Sequence, residues 1–150
     1  MIRVDAVSSR ADLKAFIHLP FRLYKDDPHW VPPLLIAEWE RFNPKKNPFF
    51  EHAEVQLYLA RRGGRVAGRI AAIEDALHIQ THGDNLAFFG FFEAEDEDVA
   101  AELLKAVEAW AKQRGRQAVR GPINFSMFDG AGFQINAFDT DPYVMTPYNP

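Results

Sequence analysis

Val55-Gln56-Leu57-Tyr58-Leu59-Ala60-Arg61-Arg62-Gly63-Gly64-Arg65-Val66-Ala67-Gly68-Arg69-Ile70-Ala71-Ala72-Ile73 is the stretch whose reading decides the fold. Val55, Leu57 and Leu59 alternate with Gln56, Tyr58 and Ala60, and after Gly63-Gly64 the alternation resumes at Val66, Gly68, Ile70 and Ala72. A period of two marks half-buried strands. A Gly-Gly pair supplies the positive φ angles of a tight turn. The stretch predicts a β-hairpin, with Arg61, Arg62 and Arg65 holding its tip in water. A hairpin followed by another apolar strand and a long helix needs a sheet with a helix packed on it.

On the N-terminal side, Ile2, Val4 and Ala6 alternate with Arg3 and Asp5 as an opening strand, and Ser8-Ser9 stands where a helix cap belongs. Leu13, Phe16, Ile17, Pro20, Phe21 and Tyr24 fall at helical spacing, with Pro20 predicting a break. The proline-rich run 25–33 predicts irregular chain, Leu34 to Phe42 a second short helix, and 43–48 a loop of polyproline character. Trp39, Phe49 and Phe50 are expected as packing groups.

On the C-terminal side, Glu74 to Asn85 is expected as a polar connection, and Leu86 to Glu93 is a nearly unbroken apolar run suited to a central strand. Gly90 within it predicts a bulge or a close backbone approach. Val99 to Arg114 is expected as the best helix of the chain, with Val99, Leu103, Val107 and Trp110 on its buried stripe, Asp98 at its start and Gly115 at its stop. Ala118 to Arg120 predicts a last strand, and 123–150 is irregular.

The chain of 150 residues is of single-domain size, so 1–150 is expected as one domain. It has no cysteine, which excludes disulfides, thiolate metal sites and cysteine nucleophiles. A net charge of −4 gives no basic footprint for nucleic acid. No apolar run reaches the length of a bilayer span, and the N-terminus lacks the apolar core of a signal peptide. The expected setting is the cytoplasm, with neither nucleic acid nor membrane as partner.

The order strand, helix pair, hairpin, apolar strand, long helix, strand is similar to that of the GNAT acetyltransferase superfamily. More specific motifs are L-P-F-R-L-Y from Leu19, D-P-H-W-V-P-P-L from Asp27, N-P-F-F-E-H-A-E from Asn47, G-R-V-A-G-R-I-A-A from Gly64, H-G-D from His82, F-F-G-F-F-E from Phe88 and the closing Y-N-P. Together they resemble the N-terminal half of a bacterial family of tandem GNAT-like proteins. The resemblance implies an α/β (α+β) fold, a mixed and mainly antiparallel sheet with helices on both faces. It implies acyl transfer from acetyl-CoA to an amine, and a C-terminal GNAT half or a second copy of the chain as partner. Met127-Phe128-Asp129-Gly130 departs from the family pattern.

In such a fold the cofactor's pyrophosphate rests on a Gly-rich, Arg- or Gln-containing turn before the long helix, on bare N–H groups. Here that place reads Glu93-Ala94-Glu95-Asp96-Glu97-Asp98, whose carboxylates oppose a phosphate but suit a helix N-terminus. Acetyl-CoA is therefore expected to bind outside this segment. Arg62-Gly63-Gly64-Arg65 has the look of a phosphate loop, but it lies in the hairpin turn with no helix after it. The candidate catalytic residues are Glu93, as a buried general base or as part of the acidic helix start, and Asn124 and Tyr148, as site or structural polar groups. His78, His82 and Asp84 have the types for a metal triad, though no metal is expected. Ser126 and Asp129 lack a nucleophile-elbow sequence. The alternative reading is a non-enzymatic, GNAT-shaped docking or dimerisation module.

Overall fold

The computed structural model describes residues 1–144. The elements run β1 (Ile2–Ala6), α1 (Arg10–Leu23), α2 (Leu35–Arg41), β2 (Ala53–Arg62), β3 (Arg65–Asp75), α3 (Ala76–His82), β4 (Leu86–Ala94), α4 (Glu97–Gln113) and β5 (Ala118–Arg120). The strands form one sheet in sequence order, antiparallel from β1 to β4, with β5 parallel to β4. The β2–β3 hairpin is its centre, turning at Gly63 and Gly64 with φ of 56° and 82°.

Alternation along the strands divides the core into two layers. On one face Phe16, Ile17 and Phe42 pack with Leu59, Ala71, Ile73, Phe88 and Phe91, and Trp39, Phe49 and Phe50 lie against them. On the other, Val99, Leu103 and Val107 of α4 pack with Ala60, Ala67, Ile70, Ala72 and Phe89. Each fully buried Val, Leu, Ile or Phe side chain here contributes about 1.5 to 3 kcal/mol. Gly68 lets α4 approach β3: a Cβ there would stand 2.6 Å from Val99 Cγ1 and 2.8 Å from Leu103 Cδ1.

Three local expectations are corrected. Pro20 does not break α1, which runs unbroken because the proline stands in its last turn, where only one upstream carbonyl loses its helical donor. The segment expected as a polar connection contains α3, started by the Asp75 carboxylate, which accepts from the amides of Leu77 and His78. Asp96, not Asp98, caps α4, accepting from Val99 N–H at 3.0 Å. Ser9 caps α1 as expected, accepting from Asp12 N–H at 3.0 Å.

Gly90 makes both the bulge and the close approach expected of it. The β3–β4 register jumps from Ala71↔Gly90 to Arg69↔Glu93, so Phe91 and Phe92 together face Ile70. Phe91 takes φ of 49°. A Cβ on Gly90 would lie 2.0 Å from the Ile123 carbonyl oxygen. The extra residue flips the strand's alternation: Phe88 and Phe91 share one layer, Phe89 and Phe92 the other. Glu93 follows Phe91 onto the α1 face, opposite Arg69.

Candidate active site

Glu93 and Arg69 are buried, at 9% and 6% exposure. Arg69 Nη2 stands 3.6 Å from Glu93 Oε1, and the Tyr24 hydroxyl, just after α1, donates to Glu93 Oε2. Arg69 Nη1 donates to the Phe16 carbonyl at 2.9 Å, and its guanidinium lies 5.0 Å from the Phe16 ring centroid. Arg69 Nε is buried with no hydrogen-bond partner among the described residues. Burial raises the Glu93 carboxyl above the ordinary glutamate range, against the opposing pull of Arg69 and Tyr24. Burial likewise raises the Tyr24 hydroxyl, helped by the charge of Glu93, and lowers Arg69.

Glu93 and Arg69 form the floor of a cleft of about 640 Å³ between α1, α2, β4 and the segment after β5. Glu38 of α2, 5% exposed, joins it and pairs with Arg41 at 3.1 Å. Among the described residues the lining holds three carboxylates, Glu38, Glu93 and Asp129, against two guanidinium groups, Arg41 and Arg69, so they favour a cation by one charge. Its rim is apolar: Trp30, Val31, Phe128 and Val144 stand along it, with Phe128 90% and Val144 94% exposed.

Asn124 lies in the wall of the same cleft, where its Oδ1 accepts from Phe91 N–H at 2.6 Å and its Nδ2 donates to the Asp129 carbonyl at 3.3 Å. Its amide thus takes the place of a neighbouring strand where β5 has already ended. Ile123 N–H donates to the Phe89 carbonyl at 2.8 Å just before it. Tyr148 lies outside the described residues. Arg69, Tyr24 and Glu38 were not singled out as site residues, because Arg69 falls on the polar side of the strand's alternation and Tyr24 on the helix's apolar stripe, where it reads as packing until its partner is known. The one signal was Arg69 inside an otherwise apolar strand.

The α4 start is built differently. Arg65 Nη2 reaches Glu95 at 2.6 Å, Arg22 reaches the same carboxylate at 2.8 Å, and Arg62 Nη1 reaches Asp96 at 2.5 Å. Arg61 pairs with Asp12 at 2.8 Å. The hairpin arginines thus keep the exposed turn in water, as expected, and pair with acids as they do so. Hydrogen bonds from Arg65 hold Glu95 below its ordinary range, and those from Arg62 do the same for Asp96. The acetyl-CoA pyrophosphate that such a fold implies does not fit here. The Val99 N–H is taken by Asp96, and the turn carries Glu95, Glu97 and Asp98 as well. Away from it, His78 meets Asp84 at 2.9 Å and stacks on His82 at 4.4 Å, while Ser126 donates to Asp129 at 2.7 Å. Among the described residues no group of three or more His, Cys, Asp or Glu side chains is arranged to hold a metal ion. No helix among them is long and apolar enough to cross a membrane.

In solved structures the same fold recurs at low sequence identity. A tandem GNAT protein from the clavulanic acid biosynthesis pathway superposes with a TM-score of 0.58 at 15% identity, over 77% of this chain and 34% of that one. AAC(6')-Iy in complex with a CoA-containing bisubstrate analogue gives 0.56 at 15% identity, over 82% of this chain and 80% of that one. The fold is that of the GNAT acetyltransferases. A predicted acetyltransferase with acetyl-CoA from Clostridium acetobutylicum shares the GNAT fold at a TM-score of 0.54 and 13% identity, over 83% of this chain and 82% of that one. No family model matches the chain. Among curated proteins it is 44% identical to the bacterial ceramide synthase of Caulobacter vibrioides over 151 positions, 99% of this chain and 39% of that protein. It is 40% identical to protein YghO of Escherichia coli over 141 positions, 93% of this chain and 36% of that protein. The chain thus spans well under half the length of these curated relatives.

Proposed function

We propose that the chain forms the acceptor-binding part of an N-acyltransferase that joins an acyl group, carried as a coenzyme A thioester, to the nitrogen of a long-chain amine. The observation that carries this reading is Glu93, a carboxylate buried at the floor of an apolar-rimmed cleft. A primary amine is an ammonium ion in water and must lose a proton before its nitrogen becomes nucleophilic. The excess of negative charge in the cleft draws the ammonium in, and Glu93, made a stronger base by burial, takes the proton. The apolar rim receives the alkyl chain, at roughly 0.8 kcal/mol per methylene buried. The GNAT fold supports the reaction class. The name of the Caulobacter relative supports the acceptor, since a ceramide is the amide of a long-chain amino alcohol.

In this reading the chain is the N-terminal of two GNAT halves, as the tandem neighbour suggests. The coenzyme A phosphates are held by residues outside these 150, and the chain buttresses the half that holds them. The test is Glu93→Gln in the intact protein, assayed for amide formation from a long-chain acyl-CoA and a long-chain amino alcohol. The rate should fall about 10²- to 10³-fold, and an unchanged rate rejects Glu93 as base. The non-enzymatic reading, a docking or dimerising module, draws on the exposed Phe128, Ile135 and Val144, at 90%, 83% and 94%. In that case Phe128→Ser with Ile135→Ser breaks an assembly seen by sedimentation, while Glu93→Gln changes nothing.

A further inference from the structure

In α1, Pro20 stands where an amide would donate to the carbonyl of Phe16, four residues back. The proline has no N–H, so that carbonyl lacks its helical donor. The freed oxygen is not exposed: Phe16 is fully buried, and the oxygen accepts from Arg69 Nη1 at 2.9 Å. The same guanidinium lies over the Phe16 ring and extends Nη2 toward Glu93, stopping at 3.6 Å, beyond a direct hydrogen bond. A cation tied on one side to a helix carbonyl is held back from the carboxylate on its other side.

We infer that Pro20 and Arg69 are positioning residues for Glu93: the carbonyl that Pro20 frees tethers the guanidinium, and the tether keeps it from closing into a direct pair with the carboxylate. The inference rests on the reading of Glu93 as the base. A bidentate Arg–carboxylate pair is the strongest such contact and would hold the carboxylate ionised but weakly basic. An unpaired buried carboxyl would take up a proton and hold it. At 3.6 Å the charge of Arg69 favours the carboxylate while leaving its oxygen free for a substrate proton. Tyr24 binds the other oxygen, so the orientation of the group is set from two sides.

The test is titration of the Glu93 carboxyl by ¹³C NMR in the intact protein, with the resonance assigned by its loss in Glu93→Gln. In Pro20→Ala the new N–H at position 20 takes the Phe16 carbonyl into the helix, Arg69 closes on Glu93, and the midpoint should fall by about one pH unit. In Arg69→Met it should rise by a similar amount. Pro20→Ala decides the matter alone if Arg69→Met does not fold, since alanine is the better helix former. A Glu93 midpoint in Pro20→Ala that stays at the wild-type value, or rises, overturns the inference. The pH–rate profile of acyl transfer is recorded on the same proteins. A midpoint that moves without the profile following leaves the tether standing and rejects Glu93 as the base.

Discussion

Glu93 and Glu95 lie two residues apart, each faces an arginine of β3, and their carboxyl groups are shifted in opposite directions. Glu95 meets Arg65 and Arg22 at the rim of the sheet, where their hydrogen bonds outweigh a small loss of water and hold it below the ordinary range. Glu93 meets Arg69 beneath α1, where the loss of water outweighs the arginine and raises it. The same pair of residue types makes a solvated brace in one place and a group able to take a proton in the other. The difference is the packing of Phe16, Ile17 and Pro20 over the second pair.

The largest expected effect comes from breaking the buried pair. Arg69→Met should cost about 3 to 5 kcal/mol of stability at pH 8, because it leaves a buried carboxylate uncompensated. The cost should shrink as pH falls and the raised Glu93 carboxyl takes up a proton; urea unfolding measured as a function of pH checks it. Next is the bulge that sends Glu93 to the cleft rather than against α4. Gly90→Ala places a methyl group 2.0 Å from a backbone oxygen, and the strand must shift. We expect a loss of about 2 to 3 kcal/mol in urea unfolding.

A finer distinction lies in how stability depends on pH. The folded-state value of Glu93 is raised above its ordinary 4.5, so its share of stability is complete below that value and is lost as pH rises through the raised one. The folded-state value of Glu95 is lowered from 4.5, so its share is present above that value and is lost as pH falls through the lowered one. Urea midpoints measured from acid to neutral pH should therefore lose their alkaline-side decline in Glu93→Gln and part of their acid-side decline in Glu95→Gln. The smallest effect is at the helix start. Glu95→Gln with Asp96→Asn should lower the melting temperature by only a few degrees, and less in high salt, since these pairs face water. Calorimetric titration of acetyl-CoA should give no saturable heat with the wild-type chain or with Glu95, Asp96, Glu97 and Asp98 all changed to amides. Binding by the wild type would show that the solvated brace opens to hold a phosphate.

Patterns of period two and period 3.6 are local, and so the hairpin, the central strand 86–93, the long helix and the sheet-with-helices fold were legible in the sequence. The acidic start of α4 was legible for the same reason, since charge opposes charge whatever the fold. Glu93 could be named as the end of an apolar strand. Its surroundings could not, because Tyr24 reaches it from just after α1 and Arg69 from β3, across 69 and 24 positions of chain, and Glu38 of α2 lines the same cleft. Pro20 read as a helix breaker because local sterics disfavour it. Only the packing of α1 on β3 showed that the carbonyl it releases has a donor waiting. The side of the sheet on which Glu93 stands was likewise decided in three dimensions. Strict alternation would put it with Phe89 against α4, and the one extra residue at Gly90–Phe91, accommodated where Ile123 crosses the strand, turns it to the cleft instead. The sequence by itself determined which segments alternate and where charge gathers, since those depend on neighbours along the chain. The tertiary structure alone decided which charges lose their water, since desolvation depends on what is packed above them.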